Sequence, residues 1–185
     1  FSDSGVTYEV TRNISLCVDG IPNTFTNIDG PDCGCLFALS NFKISEDTTL
    51  CQRTYNISGV GFAEENIVLD CNGATLQGSG SGTGVGIDEY TGGDNNTVKN
   101  CIITNYLYGI LVGDNVVGDD LDLNTITTNT IYNNTNGIYF LQATGSNNVS
   151  GNSIYNNNIG IFFNNNDVDP SSITQNDIYS NTQYA

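Results

Sequence analysis

A short pattern recurs near the C-terminal end of the chain and constrains the fold more than any other feature. In each copy an Asn-x-Ile-Tyr segment is followed, after a few residues, by Gly-Ile and an aromatic residue. Ile131, Ile154 and Ile178 mark three copies at steps of 23 and 24 residues, the last one cut short, and a looser copy with Ile103 lies 28 residues upstream. A period in the twenties, made of strand-like fragments without a helical pattern, is typical of a solenoid.

The apolar residues within one repeat predict short strands that bury one face. Ile131, Ile138 and Phe140 alternate with polar or aromatic neighbours at period two. Each fragment is too short to bury that face alone, so successive repeats should stack about 4.8 Å apart. The register then predicts two internal columns, one of Ile110, Ile138 and Ile161 and another of Val112, Phe140 and Phe163.

Asparagines follow the predicted strands at equivalent positions. Asn105, Asn133 and Asn156 lie where a coil must turn a corner. Asparagine tolerates the left-handed backbone conformation that such a corner needs, and its amide can bond the same group one coil away. We therefore interpret these residues as structural.

The N-terminal half of the repeat region carries a second signature. The run from Asp47 to Leu76 contains Leu50-Cys51 and Leu69-Asp70-Cys71-Asn72-Gly73, and the Asn/Ile/Gly-Ile repeats follow it. This arrangement resembles right-handed parallel β-helix repeat proteins, in particular the NosD-like and secreted surface-protein branch. The resemblance covers about residues 42–181 and implies an all-β, right-handed parallel β-helix of about six coils. It implies little about activity, because the same coil serves lyases, hydrolases, adhesins and scaffolds.

The chain divides into two parts by composition. Residues 1–41 are predicted to form an N-terminal strand and a disulfide-pinned cap or extension, and residues 42–185 the parallel β-helix. The strand is predicted from Gly5 to Val18 because apolar residues alternate with polar ones there; its apolar positions are Val6, Tyr8, Val10, Ile14 and Leu16. The glycine- and serine-rich segment 78–86 is predicted to be a flexible surface loop between coils.

Charge and hydropathy exclude some partners. Four basic residues against 20 acidic ones give a net charge of −16, which excludes nucleic acid as a partner. No apolar run approaches the roughly 20 residues of a membrane span, so we expect no membrane insertion. Together with the cysteines, this composition favours a secreted protein in an extracellular or cell-surface location.

Six cysteines indicate disulfides in an oxidising setting. The favoured bridge joins Cys51 to Cys71, because both end strands in what look like neighbouring coils. A bridge from Cys17 to Cys33 or Cys35 is plausible, and the pairing of Cys101 stays open. A four-cysteine metal site is the rival interpretation, but the spacing lacks paired C-x-x-C knuckles and the chain has no histidine.

Clustered carboxylates raise the question of catalysis or calcium binding. Asp119, Asp120 and Asp122 resemble the aspartate clusters of pectin-hydrolysing β-helices, which also bring a histidine and an Arg-x-Lys clamp. This chain has no histidine, and Lys99, in a predicted coil, has no visible partner. We therefore expect no enzyme and no catalytic residue. We expect no cofactor other than calcium, for which Asp119, Asp120, Asp122, Asp167 and Asp169 are weak candidates.

Five N-glycosylation sequons are present, of which the predicted loop sites Asn95 and Asn148 should be the most accessible. The asparagines of these sequons are Asn13, Asn56, Asn95, Asn133 and Asn148.

Two rows of residues are predicted to face outward along the stack. One contains Tyr132, Tyr155 and Tyr179, and the other contains Leu111, Tyr139 and Phe162. A ladder of exposed aromatics is unusual on a soluble monomer. Burial in an interface, simple surface tyrosines and stacking on glycans all remain open.

These features favour a structural protein whose partner is itself. The repeat pattern runs to Asn181 without a following cap, and a β-helix end exposes strand edges and an open apolar column. The strand at residues 5–18 of a neighbouring copy could cover that end, which would give a head-to-tail filament or surface layer. The alternatives are a carbohydrate-binding or adhesive module and, less favoured, a polysaccharide lyase or hydrolase.

Overall fold

The computed structural model describes residues 42–87, 93–113, 121–141, 145–164 and 172–183. Regular secondary structure in these ranges consists of β-strands, and none of their segments is a helix with the length and hydropathy needed to cross a membrane. The strands are β1 (Phe42–Ile44), β2 (Thr48–Thr49), β3 (Thr54–Asn56), β4 (Val60–Phe62), β5 (Val68–Asp70), β6 (Thr75–Gln77), β7 (Thr83–Ile87), β8 (Thr97–Lys99), β9 (Ile102–Thr104), β10 (Tyr108–Gly113), β11 (Thr125–Thr127), β12 (Thr130–Tyr132), β13 (Asn136–Leu141), β14 (Asn148–Ser150), β15 (Ser153–Tyr155), β16 (Ile159–Asn164), β17 (Ser172–Thr174) and β18 (Asp177–Tyr179).

Each coil contributes one strand to each of three parallel sheets. The first sheet has the order β1-β4-β7-β10-β13-β16, the second β2-β5-β8-β11-β14-β17, and the third β3-β6-β9-β12-β15-β18. Six strands stack in every sheet, which confirms the predicted all-β parallel β-helix and agrees closely with the predicted number of coils. The predictions for residues 1–41 lie outside the described residues.

The predicted internal columns exist in the first sheet. Ile110 pairs with Ile138 and Ile138 with Ile161, while Val112, Phe140 and Phe163 form the neighbouring column. Ile138 and Phe140 are 0% exposed. The Phe140 and Phe163 rings stack with their centroids 4.5 Å apart. Alternation at period two therefore places the core where the sequence predicted it.

The corner asparagines have the predicted backbone conformation, with φ of 64° at Asn105, 55° at Asn133 and 54° at Asn156. The continuous amide ladders, however, form at other asparagines, which are buried except for the half-buried Asn176 and Asn181 of the last described coil. Their side-chain oxygens accept hydrogen bonds from the preceding coil, and they make three ladders: Asn96, Asn124 and Asn147; Asn129, Asn152 and Asn176; and Asn134, Asn157 and Asn181.

Each rung of these ladders satisfies several buried polar groups at once. The Asn152 Oδ1 accepts hydrogen bonds from the backbone N–H and the Nδ2 of Asn129, at 2.9 and 3.0 Å. The Asn152 Nδ2 donates to the backbone oxygen of Ile126 at 2.9 Å. Asn152 is 2% exposed. Because a buried unpaired amide is costly, this repeated exchange is what allows polar side chains inside the coils that carry the ladders.

A disulfide occupies one ladder position in the N-terminal half. Cys101 donates its backbone N–H to Asn129 Oδ1 at 2.9 Å. Its sulfur is bonded to that of Cys71, and the two Cα atoms are 4.7 Å apart. The predicted Cys51–Cys71 bridge is therefore wrong. Thr49 pairs with Asp70, so that Leu50 and not Cys51 lies beside Cys71. Cys51 is itself disulfide-bonded, and the predictions for Cys17, Cys33 and Cys35 lie outside the described residues.

Tyr106 occupies the position that precedes Asn134 in another ladder. Its backbone N–H donates to Asn134 Oδ1, and its hydroxyl donates to the backbone oxygen of Ile57 at 2.9 Å. The residue is 1% exposed, and burial raises the pKa of its phenol to about 12. The phenol therefore stays protonated and keeps its donor role at any neutral or mildly alkaline pH.

The prediction of a surface loop over residues 78–86 is wrong in part, because Thr83–Ile87 is strand β7, a central member of the first sheet. Glycine weakens strand propensity, which hid the alternation of Val85 and Ile87. Gly84 is buried there, and a Cβ at this position would lie 2.6 Å from the backbone oxygen of Gly109 and 3.0 Å from the Tyr106 ring. Glycine at this position is what lets the coils approach.

Two glycines of β7 give a matched test of this close approach. We expect Gly84→Ala to lower the free energy of unfolding by roughly 3 kcal/mol, because the backbone carbonyl it meets cannot move without breaking the stack. Gly86→Ala should change it by less than about 1 kcal/mol, since its Cβ would meet nothing nearer than a Thr83 methyl at 3.8 Å. Denaturant unfolding followed by circular dichroism measures both; equal effects would contradict the assignment.

The buried amide ladder makes a second prediction. Asn152→Ala leaves the Asn129 N–H and the Ile126 carbonyl without their partner, so we expect a loss of about 2–5 kcal/mol in the free energy of unfolding. Asn133→Gly is the control, because Asn133 is exposed and has the φ of 55° that glycine adopts freely. We expect the control to unfold within about 1 kcal/mol of the wild type. A mild Asn152→Ala phenotype would mean that water replaces the amide.

Candidate binding and assembly surfaces

The outward face of the first sheet carries one of the two predicted aromatic rows. Leu111, Tyr139 and Phe162 are direct neighbours in β10, β13 and β16, and all three are half-buried. The rings of Tyr139 and Phe162 have centroids 5.2 Å apart, and Tyr108 packs on Tyr139 at 4.9 Å with the rings tilted by 51°. Along this face the apolar surface is therefore continuous over three coils.

The same row continues toward the N-terminal coils as bare backbone. Gly61 and Gly86 follow Leu111 in register, and Lys43 is the outward residue of β1. Without side chains at the two glycines the surface forms a groove of about 400 Å³, which Phe42, Lys43 and Thr83 also line. The Lys43 side chain lies over Gly61, with its Cγ 3.6 Å from where a Cβ would stand. The Lys43 cation thus borders a mostly apolar groove.

The second predicted aromatic row lies on the third sheet and has a different geometry. Tyr132, Tyr155 and Tyr179 are paired in register in β12, β15 and β18. Their rings stack face to face, with centroids 5.2 and 5.0 Å apart and interplanar angles of 4° and 10°. Burial and the neighbouring Tyr179 and Tyr132 rings raise the pKa of Tyr155. Since the ring faces cover one another, little face area is left for a sugar.

The second sheet carries an ion pair that sequence reasoning missed. Lys99 Nζ lies 3.4 Å from Asp70 Oδ2, and the two residues are partners in β8 and β5. The expectation that Lys99 stands without a partner is wrong, because the parallel register of β5 and β8 places it directly beside Asp70. Burial acts to raise the pKa of Asp70, but hydrogen bonds from Asn100, the Asn72 backbone and Lys99 outweigh it and lower the pKa below its usual value.

Of the calcium candidates, Asp122 lies within the described residues. Its backbone N–H donates to Asp94 Oδ1 at 2.8 Å. Within the described ranges no three His, Cys, Asp or Glu side chains are grouped closely enough to hold a metal ion. Asp119, Asp120, Asp167 and Asp169 lie outside those ranges, so calcium binding there stays a prediction.

The sequons fall at different kinds of position. Asn95 and Asn133 are exposed at corners with left-handed backbone, and the Asn95 Nδ2 donates to Asn66 Oδ1. Asn56 is exposed in β3. The expectation that Asn148 lies in a loop is wrong, because it pairs with Thr125 inside the second sheet and is half-buried. Asn13 lies outside the described residues.

The last described coil is the most open layer of the solenoid. Ile173 is 42% and Tyr179 45% exposed, and Phe163 and Ile178 are only partly buried. The residues that correspond to Ile173, Phe163 and Ile178 one coil earlier are Val149, Phe140 and Ile154, and all three are 0% exposed. Among the described residues, β16, β17 and β18 each pair on one side only. The predicted assembly strand of Val6, Tyr8, Val10, Ile14 and Leu16 lies outside those residues.

Comparison with known families places the chain among β-helix proteins. The model of the family described as periplasmic copper-binding protein (NosD) matches residues 38–185, which is most of the chain. No curated protein and no solved structure is significantly similar to it.

The donors within the described part of the chain do not fit the copper of that description. Copper favours thiolate, thioether and imidazole ligands, but the sequence contains no histidine and no methionine. The three cysteines in the described ranges, Cys51, Cys71 and Cys101, are all disulfide-bonded and so supply no thiolate. We therefore assign no chemistry to copper here.

The fold, the disulfide and the family match are consistent with one another in the kind of protein and the cellular location they indicate. A disulfide persists outside the reducing cytoplasm, which is consistent with a family described as periplasmic and with an extracellular or envelope location. The match over residues 38–185 and the three stacked parallel sheets identify the chain as a member of the NosD family of parallel β-helix proteins.

Proposed function

We propose that the chain is a secreted structural subunit that assembles head to tail into an extracellular filament or surface layer. The observation that carries this proposal is the open last coil, where apolar side chains and three strand edges face outward together. Edge strands offer unpaired backbone donors and acceptors that template the addition of another strand. A further layer would bury Ile173, Phe163 and Ile178 as the earlier coils bury their equivalents.

The direction of the amide ladders sets what a further layer would have to supply. Asn129, Asn152 and Asn157 each donate the backbone N–H to the asparagine oxygen of the next coil toward the C-terminus. Within the described residues, Asn176 and Asn181 are the last asparagines of two ladders, and by the same geometry their N–H groups would face any layer that follows. A matching layer must supply acceptor oxygens at the same corners. The strand at residues 5–18 is our proposed donor for the sheet edges.

Charge opposes this contact over longer distances. A net charge of −16 makes the copies repel one another, and salt weakens that repulsion because the Debye length falls to about 8 Å at physiological ionic strength. We therefore expect assembly to strengthen as ionic strength rises. Short-range apolar burial and strand pairing are little affected by salt.

The test compares two substitutions that add the same charge at similar exposure. Ile173→Asp places a carboxylate in the open layer, and we expect the critical concentration for assembly to rise at least about tenfold. Leu107→Asp is the control, because Leu107 is 37% exposed in an earlier coil. Negative-stain electron microscopy and sedimentation of the full chain measure the outcome. Wild-type protein that stays monomeric at all salt concentrations, or equal effects of both variants, would refute the proposal.

Deletion of residues 1–18 separates the donor strand from the end layer. If that strand completes the neighbouring copy, the truncated chain should keep its β-sheet circular dichroism and sediment as a monomer. Assembly at the wild-type concentration would rule out the strand as donor and leave coil-on-coil stacking as the contact.

A second candidate function is carbohydrate binding, and the outward face of the first sheet, with its groove and aromatic row, favours it. Lys43 lines the groove, and the Gly61–Gly86 floor gives a flat ligand access to the backbone. The aromatic row continues from Gly86 along the same face of the sheet, starting at Leu111. Tyr139 and Phe162 are tilted by 28° and Tyr108 by 51°, so these rings are less completely stacked than those of the third sheet.

For this alternative, Tyr139→Ala should weaken binding to a polysaccharide about tenfold, the loss expected when one aromatic contact is removed. Tyr132→Ala is the matched control on the third sheet and should leave binding unchanged. A glycan array followed by affinity electrophoresis of the hits measures both. Loss of binding in the control alone would move the site to the third sheet, and absence of binding by the wild type would end this candidate.

A further inference from the structure

The stacked tyrosines of the third sheet hold phenol rings in an arrangement suited to covalent coupling. Tyr132, Tyr155 and Tyr179 stand on consecutive coils, with ring centroids 5.2 and 5.0 Å apart and planes within 10° of parallel. The strand register fixes their backbones, since each residue pairs directly with the next. The rings are therefore held in contact by the fold itself.

We propose that this tyrosine row is an oxidative cross-linking site, at which neighbouring rings couple to dityrosine. The oxidant is hydrogen peroxide used by a haem peroxidase. Each phenol gives up one electron and one proton, and the two electrons and two protons reduce one peroxide to two waters. The two phenoxyl radicals form a carbon–carbon bond between ring positions ortho to the oxygens. The two ortho hydrogens then shift to the oxygens, which restores both phenols.

Proximity decides which coupling occurs. A phenoxyl radical in solution must meet a second radical by diffusion, whereas here the next ring is already in van der Waals reach. The row is also accessible to an external oxidant, because Tyr132 and Tyr155 are partly exposed and Tyr179 is 45% exposed. By contrast, the Tyr106 phenol is 1% exposed and its hydroxyl is bonded to the Ile57 carbonyl, so it is shielded.

The product would add covalent links along the solenoid axis. The disulfide between Cys71 and Cys101 already joins two earlier coils, and dityrosine would join the coils of Tyr132, Tyr155 and Tyr179 in the same way. The setting fits the chemistry, because a compartment that maintains disulfides also tolerates peroxide-driven oxidation. This inference does not depend on filament assembly, since the coupling takes place within one chain.

The test treats the full chain, at a concentration where it is monomeric, with hydrogen peroxide and a haem peroxidase. Dityrosine fluorescence and mass spectrometry of proteolytic fragments should find Tyr132–Tyr155 and Tyr155–Tyr179 links, each two hydrogens lighter than the separate peptides, in material of monomer mass. The same treatment in denaturant should lower the yield of these links about tenfold, because unfolding removes the proximity. Equal yields in both conditions, or links found only between chains, would overturn the proposal.

Two conservative variants complete the experiment. Tyr155→Phe keeps a ring in the stack but cannot form a phenoxyl radical, and Tyr132 and Tyr179 are then about 9.6 Å apart, two coil spacings. Links within the row should fall at least tenfold. Tyr108→Phe removes a phenol from the first sheet and should leave the row's links unchanged. A Tyr132–Tyr179 link at wild-type yield in the Tyr155→Phe variant would show that ring contact is not required.

Discussion

The buried asparagine amide is the interaction on which the rest of this solenoid depends. A coil of 23 or 24 residues must turn between its three strands, and at the ladder positions the backbone N–H bonds an asparagine oxygen of the next coil and not a backbone carbonyl. The amide of Asn152, for example, accepts two hydrogen bonds from Asn129 in the preceding coil. It also donates to the backbone carbonyl of Ile126, in strand β11 of that same coil. Without this amide, buried backbone N–H and carbonyl groups would lack hydrogen-bond partners.

The two halves of the solenoid satisfy these buried backbone groups with different side chains. In the C-terminal half, asparagine ladders run unbroken, and the cross-section repeats with little change. In the N-terminal half, Cys101 and Tyr106 stand at ladder positions, so that a covalent bond and a long buried side chain replace the amides. Gly78 and Gly84 leave the space for the Tyr106 ring. The variation in sequence between halves therefore preserves one geometry by several chemical means.

Much of the fold could be predicted from the sequence, because period-two alternation and the repeat step determine which residues stack. The columns through Ile138 and Phe140 and the rows through Tyr139 and Tyr155 lie where that arithmetic puts them. Contacts that depend on local register could not be predicted. The register of β2 and β5 places Leu50 beside Cys71, one residue away from the predicted partner Cys51. Pairing between β5 and β8 likewise brings Lys99 to Asp70. The ring planes of the tyrosine row, which limit it as a sugar-stacking surface, also required the structure.

The stacking of like on like has a consequence for how such proteins change over evolution. Each described coil makes its strand pairs with the coils immediately before and after it. Duplicating or deleting one repeat in the asparagine-rich half would therefore alter the height by about 4.8 Å and leave the chemistry of both ends the same. The number of coils therefore sets the length of the solenoid, and in-frame gene duplication can change the distance between its two ends without changing the residues at either end.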